Sequence, residues 1–153
     1  MEVEVDDINR RRSSYNHTAT HLLHAAIREV LGSESHQKGS YLDANKLRFD
    51  FSYNKNVSEE QTKAIEKIVN EKIQKGISVN IQEKAYAEAK EEGAIGLFEN
   101  KYGDQVRMVK IGDFSLELCG GTHADNTSEL GTFRILKVEP VSEGIKRIRA
   151  ILE

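Results

Sequence analysis

The chain has 153 residues, 38% of them hydrophobic and 31% charged, with a formal net charge of −3 and a single cysteine. That length suits one domain with its own core; no apolar run is long enough to span a bilayer, the opening Met1-Glu2-Val3-Glu4-Val5-Asp6 does not read as a signal peptide, and one cysteine excludes an internal disulfide and fits a reducing, cytoplasmic compartment. The slightly negative balance argues against a protein that wraps nucleic acid by charge alone, and leaves room for local basic patches at Arg10-Arg11-Arg12 and Lys146-Arg147-Ile148-Arg149.

Residues 1–12 are polar and mixed, and Val3, Val5 and Ile8 suggest a short strand or an ordered arm. Ser13, Ser14 and Asn16 are of the right type to cap a helix that follows. From Asn16 to Leu31, apolar residues at Ala19, Leu22, Leu23, Ala26, Ile27, Val30 and Leu31 keep a helical period, and Gly32 ends it. His36 to Leu42, a turn at Asp43-Ala44-Asn45, and the alternating Leu47-Arg48-Phe49-Asp50-Phe51 predict a hairpin. Ser58 with Gln61 predicts a capping box for a second helix, whose apolar positions Ile65, Ile68, Val69 and Ile73 run to Gly76.

Val79 and Ile81 open a strand, and Ala85 to Glu92 reads as a short helix stopped by Gly93. Gly96 to Asp104 reads as a loop carrying Phe98 and Tyr102. Val106 to Ile111 and Phe114 to Leu118 are strands joined by a Gly112-Asp113 turn. Thr132 to Val138 and Ile145 to Leu152 are two more alternating strands. The expected architecture is α+β: one domain over residues 1–153, with a mostly antiparallel sheet packed against two long helices.

Two stretches carry chemistry. His17-Thr18-Ala19-Thr20-His21 lies in the first helix, and residues four apart differ by about 40° around the axis, so both imidazoles share one face. Cys119-Gly120-Gly121-Thr122-His123 follows a strand, and its glycines allow a tight turn that brings the thiol and imidazole together. Three imidazoles and a thiolate are good zinc ligands, so the two stretches are expected to converge on one metal. His24 falls near the same helix face, as a residue behind the ligands or as a satisfied core histidine. A closed set of four ligands favours a structural metal, yet the polar Thr20, Gln37, Ser40 and Thr122, and the backbone amides of Gly120 and Gly121, suit a reacting site. No Glu follows the first histidine, so the general base of a zinc peptidase is missing. A metal-bound Cys119 would make a poor covalent nucleophile.

Taken together, Asn16 to Ala26, Gln37-Lys38-Gly39-Ser40, Leu47 to Phe51, Leu118 to His123 and Gly144 to Ile148 resemble the editing domain of alanyl-tRNA synthetase and its free-standing relatives, the AlaX trans-editing proteins. The segment Leu97 to Asp104 is more like the synthetase. The resemblance covers nearly the whole chain in the right order. It implies a fold of the threonyl/alanyl-tRNA synthetase second-additional-domain type, and hydrolysis of the ester that links serine or glycine to alanine tRNA. It implies Zn²⁺ held by His17, His21, Cys119 and His123, and a substrate pocket lined by Thr20, Gln37 and Ser40. A fragment of a longer synthetase is the expected context; a free-standing trans-editing protein, or a tRNA-binding module with a purely structural zinc, is the alternative. The partners are then the mischarged acceptor end of the tRNA and the rest of the synthetase, with no membrane. Arg10, Arg11, Arg12, Lys38 and Arg147 are the expected tRNA contacts.

Overall fold

The computed structural model describes residues 2–94, 105–119 and 122–153. Its elements are helix α1 (Glu2–Leu31), strands β1 (Gln37–Leu42) and β2 (Leu47–Ser52), helix α2 (Glu59–Lys75), β3 (Val79–Ala85), a short α3 (Tyr86–Glu91), β4 (Gln105–Ile111), β5 (Ser115–Leu118), a 3₁₀ turn at Thr127–Leu130, β6 (Phe133–Ser142) and β7 (Ile145–Leu152). The class is α+β with antiparallel strands, as expected from the pattern. The strands form two sheets rather than one: four strands in the order β1-β2-β7-β6 and three in the order β3-β4-β5. The loop expected over Gly96–Asp104 lies outside the described residues.

Two cores explain the two sheets. On the inner face of the four-stranded sheet, Leu47, Phe49, Phe51, Ile148 and Ala150 meet Ala19, Leu22, Leu23, Ala26 and Ile27 of α1 and Ile65, Val69 and Ile73 of α2. Around the three-stranded sheet, Ala89 of α3 and Ala94 meet Val106 and Met108, with Tyr86, Leu116 and Leu118 at the margin. Strand alternation then sends Leu116 and Leu118 to this small core, and the buried Ser115 and Glu117 to the opposite face of β5.

The first helix starts earlier than its sequence suggests. No arm, strand or cap interrupts it: Ser14 Oγ donates back to the Arg10 carbonyl (2.9 Å), and Thr20 Oγ1 to the Asn16 carbonyl (2.9 Å). These residues serve helix-interior bonds instead of capping ones. Asn16 Nδ2 reaches across to the Asp43 carbonyl (2.8 Å), pinning the β1–β2 turn to α1. That turn is held by Asp43 Oδ1, which accepts from the amides of Asn45 and Lys46 at 2.8 and 3.0 Å.

The second helix begins with the expected reciprocal cap: Ser58 N donates to Gln61 Oε1 (2.9 Å), and Gln61 N to Ser58 Oγ (3.1 Å). It ends at Gly76, whose φ of 67° is left-handed. Its side chains also close the outer edge of β6. Asn70 donates to the Phe133 carbonyl (2.9 Å) and accepts from the Phe133 amide (2.8 Å), while Glu66 Oε2 accepts from the Ile135 amide (2.8 Å). Backbone groups that an edge strand would leave unpaired are thereby satisfied by a helix. Pro140 fits this strand because an edge tolerates a missing amide.

Asn70→Ala removes both bonds to Phe133 and leaves two part-buried backbone groups unpaired. We expect a loss of about 1–3 kcal/mol, read from urea unfolding. An unchanged unfolding midpoint would contradict the role given to this edge.

Candidate metal centre

Helix α1 presents His17, His21 and His24 along one face, and Cys119 follows directly on β5, its amide still bonded to the Arg107 carbonyl (3.2 Å). His123 is carried by the segment described from Thr122 onward. One ligand atom from each of His17, His21, Cys119 and His123 lies within 4.8 Å of the others. Cys119 Sγ is 3.0 Å from His17 Nε2. The three rings are close, with centroids 5.3 Å apart for His17 and His21, 4.3 Å for His17 and His123, and 4.8 Å for His21 and His123. The convergence expected from the two motifs is present.

The outward-facing nitrogens are tied to the protein. Thr18 Oγ1 donates to the Ser14 carbonyl (3.1 Å), accepts from the Ala124 amide (2.9 Å), and lies 3.3 Å from His123 Nδ1. A hydroxyl has one donor and two acceptor sites. With its own proton given to Ser14, it can only accept from His123, which places that proton on Nδ1. The Thr122 backbone hydrogen-bonds to His17. The His21 Nδ1 faces Glu117 Oε2, and the His24 Nδ1 faces Glu117 Oε1. Three buried imidazole nitrogens remain, the Nε2 atoms of His21, His24 and His123, which have no hydrogen-bond partner in the protein; His21 and His123 belong to the converging set. Leaving such atoms unpaired is costly. Unpaired imidazole nitrogens gathered around a thiol are what a bound metal ion would satisfy, so the donor set fits one.

Burial keeps these rings neutral, as metal ligands must be. It holds His123 down to about 3, helped by His17 and Arg107. His21 is pushed well below the usual imidazole range by burial and then by His123, His17 and His24. His17 is lowered by burial against the opposing Thr122 hydrogen bond. His24 is held to about 4 by burial and by Arg28. His24 lies behind the ligands, touching Glu117 through Nδ1, and is a core residue at 1% exposure packed 5.2 Å from the Phe49 ring, but not a satisfied one, since its Nε2 is buried without a partner.

Glu117 escaped the sequence reading. An acidic residue in an alternating strand reads as solvent-facing, yet this one is 6% exposed. Its signal was present: residues two apart on a strand share a face, and Glu117 stands two before Cys119.

Of the remaining expected site residues, Thr20 is buried beside His21 and its hydroxyl serves Asn16. Gln37 Nε2 donates to Ser40 Oγ (3.0 Å), so these two form one exposed pair on β1. Arg10 and Arg11 line a groove of about 540 Å³ with Asn9, Ser13, Ser14 and Thr122. Ser14 and Thr122 are joined hydroxyl to hydroxyl at 2.7 Å, which fastens the residue before His123 to α1. Arg12 faces a different recess, with Tyr15, Asn16, Asn45 and Leu152. Lys38 is exposed on β1. The Arg147 guanidinium grips Asp50 with two bonds of 2.8 and 3.0 Å, which holds the Asp50 carboxyl below its usual range. Gly120 and Gly121 lie outside the described residues, as does the Leu97–Asp104 segment.

Residues 106–149 match the Threonyl and Alanyl tRNA synthetase second additional domain. The chain is 51% identical over 151 residues to the alanine–tRNA ligase of Thermoanaerobacter sp. (strain X514), covering 99% of this chain and 17% of that protein. It is 53% identical to the Bacillus pumilus alanine–tRNA ligase over 151 residues, 99% of this chain and 17% of that one. With the Nitrosomonas europaea enzyme the identity is 50% over 147 residues, 96% of this chain and 17% of the relative. The resemblance carried by the separated motifs therefore extends along almost the whole chain, which spans about a sixth of these relatives' length. Among the described residues, no helix is long and apolar enough to cross a membrane.

The lowered imidazoles give the metal-free chain a pH signature. The unfolded chain protonates its histidines near 6.5, while the folded chain holds His24 down to about 4 and His123 to about 3. Across that window the unfolded state binds more protons, so stability falls as pH drops from about 6.5 and is level above it. Urea midpoints of metal-stripped protein on both sides of that value check this. A midpoint unchanged down to about pH 5 would contradict it.

Proposed function

We propose that this chain, a relative of one segment of alanine–tRNA ligases, hydrolyses the ester between a non-cognate amino acid and alanine tRNA at the His17–His21–Cys119–His123 centre. The observation that carries the reading is that the matching segment also gathers four metal-ligand side chains at one point. The metal proposed is zinc, since two or more imidazoles with a thiolate suit it better than they suit magnesium or calcium. A zinc ion held there would supply a Lewis acid that polarises the ester carbonyl or orients the aminoacyl end. The proposed substrates are seryl- and glycyl-tRNA. An alanine-selecting pocket cannot strongly reject glycine or serine by size, and for aminoacyl-tRNA synthetases in general a second hydrolytic site corrects such errors.

The chain's own side chains have distinct tasks in this reading. Thr20, on the helix turn between His17 and His21, and the hydrogen-bonded Gln37–Ser40 pair are the proposed lining for the amino acid, with hydroxyl and amide groups suited to a serine side chain. Arg10 and Arg11, which line a groove with Thr122, are proposed to bind phosphates of the tRNA end. All of Arg10, Arg11, Arg12 and Lys38 are exposed, but Arg12 lines a different recess and Arg147 is bound to Asp50, so Arg10 and Arg11, which share a groove with Thr122, support the tRNA reading furthest among the five expected contacts. The chain is proposed to act as one editing domain of a longer cytoplasmic synthetase, with the remainder of that enzyme as its covalent partner.

A second reading has a specific observation behind it: the ligand set is complete at four, as in structural zinc sites. In that case the domain binds tRNA and the metal only holds α1 to the segment after β5.

One experiment separates the two. Serine release from seryl-tRNA of the alanine type is measured with the wild-type chain and with Cys119→Ala. We expect wild-type release above the spontaneous rate, and at least about a tenfold loss in the variant, with the circular dichroism spectrum retained. Loss of fold together with loss of activity would favour the structural metal, and no release by the wild type would overturn the hydrolase. Arg10→Glu with Arg11→Glu tests the groove separately. Affinity for an acceptor-stem oligonucleotide should fall, and its log–log salt slope should shrink by about 1 for each phosphate that is no longer neutralised. An unchanged slope would remove both arginines from the interface.

A further inference from the structure

Glu117 is buried at 6% exposure, and neither the proposed hydrolysis nor the ligand set employs it. It is held from both sides by histidines: Oε2 faces the Nδ1 of His21 and Oε1 faces the Nδ1 of His24. We propose that Glu117 is a positioning residue, which fixes His21 in the tautomer that presents Nε2 to the metal, with His24 as the second anchor that holds the carboxylate in place. The inference rests on the metal reading above and adds the group that orients one ligand.

A neutral imidazole has one nitrogen that donates and one that accepts. A carboxylate only accepts. The His21 nitrogen facing Glu117 must therefore carry the proton, which leaves the lone pair on Nε2. That atom is buried and has no partner in the protein, and His21 belongs to the converging set. The same reasoning puts the His24 proton on Nδ1. Each carboxylate oxygen is then occupied by one N–H, and rotation of the carboxylate breaks both bonds.

The backbone makes the arrangement consistent. Glu117 lies on β5 and Cys119 follows directly on that strand, while His21 and His24 are three apart on one helix face. A single packing contact between α1 and β5 thus sets a ligand and the group that orients another ligand. His24 is further fixed by Phe49, against whose ring it packs at 5.2 Å. Carboxylates bonded to the far nitrogen of a ligating histidine fix its ring and raise its basicity.

The test has two arms on the 153-residue chain. Long-range ¹H–¹⁵N correlation spectra of the metal-free wild type report the His21 tautomer, which is expected to be Nδ1–H. Glu117→Leu, which removes the acceptor at similar volume, is expected to populate Nε2–H at His21. It should also lower zinc affinity by about 10–100-fold in competition with a chromophoric chelator. His24→Phe keeps the His21 contact and is expected to lose less. Circular dichroism and thermal melts of each variant show whether the fold is retained. A wild-type His21 found as Nε2–H overturns the inference, and so does Glu117→Leu binding zinc as tightly as the wild type. Should Glu117→Leu fail to fold, the wild-type tautomer decides alone. A wild-type chain that takes up no zinc overturns this inference and the metal reading together, whereas zinc taken up equally by wild type and variant overturns this one only.

Discussion

The contact of one face of α1 with Glu117, Cys119 and His123 is the interaction on which the rest of this structure depends. Nearly everything else in the molecule buries apolar surface, as expected for a domain of this size. Here the packing instead closes around imidazoles, a carboxylate and a thiol. Burial of polar atoms without partners is unfavourable, so the stability of such a seam depends on how many of its groups are satisfied. The outer nitrogens are satisfied by Thr18, Glu117 and the Thr122 backbone. Of the three Nε2 atoms without a partner, those of His21 and His123 are left for a bound ion, while that of His24 stays unpaired behind them.

The scaffold around the seam explains how that geometry is kept. The helix that carries His17 and His21 buries Leu22, Leu23, Ala26 and Ile27 against the four-stranded sheet at 0% exposure, so it cannot rotate without breaking the main core. The segment that carries His123 is fastened at several points beyond it. Ala124 N and His123 bond to Thr18, and the Val79 amide donates to the Asp125 carbonyl (2.9 Å). Asn126 caps the 3₁₀ turn while donating to the Gly76 carbonyl at 3.0 Å. Thr127 Oγ1 donates to the Lys72 carbonyl (2.7 Å) and accepts from the Ile77 amide (2.8 Å). Both halves of the centre are thus referred to the same two helices, a requirement for ligands that must meet at one point.

Much of this was legible in the sequence because the signals are local. The four-residue spacing of His17 and His21, the Ser58–Gln61 cap, the left-handed Gly76 and the alternation in β2 and β7 each depend on a few neighbouring residues. What was not legible depends on partners far along the chain. Ser13, Ser14 and Asn16 are good caps by type, but Ser14 bonds back along the helix and on to Thr122, 108 residues away, and Asn16 reaches Asp43. Strand alternation does not say which strands pair, so the division into two sheets, with β7 between β2 and β6, was hidden. Arg147 reads as a solvated cation until Asp50, 97 residues away, is brought beside it. Glu117 reads as polar and outward until both faces of β5 prove to be covered.

Whether four side chains from two distant segments hold one zinc ion is addressed most directly by X-ray absorption at the zinc edge, on the chain purified with its native metal. One zinc per chain is expected, with three nitrogen scatterers at about 2.0–2.1 Å and one sulfur at about 2.3 Å. A zinc shell without sulfur, or a chain that carries no zinc, would contradict the shared centre.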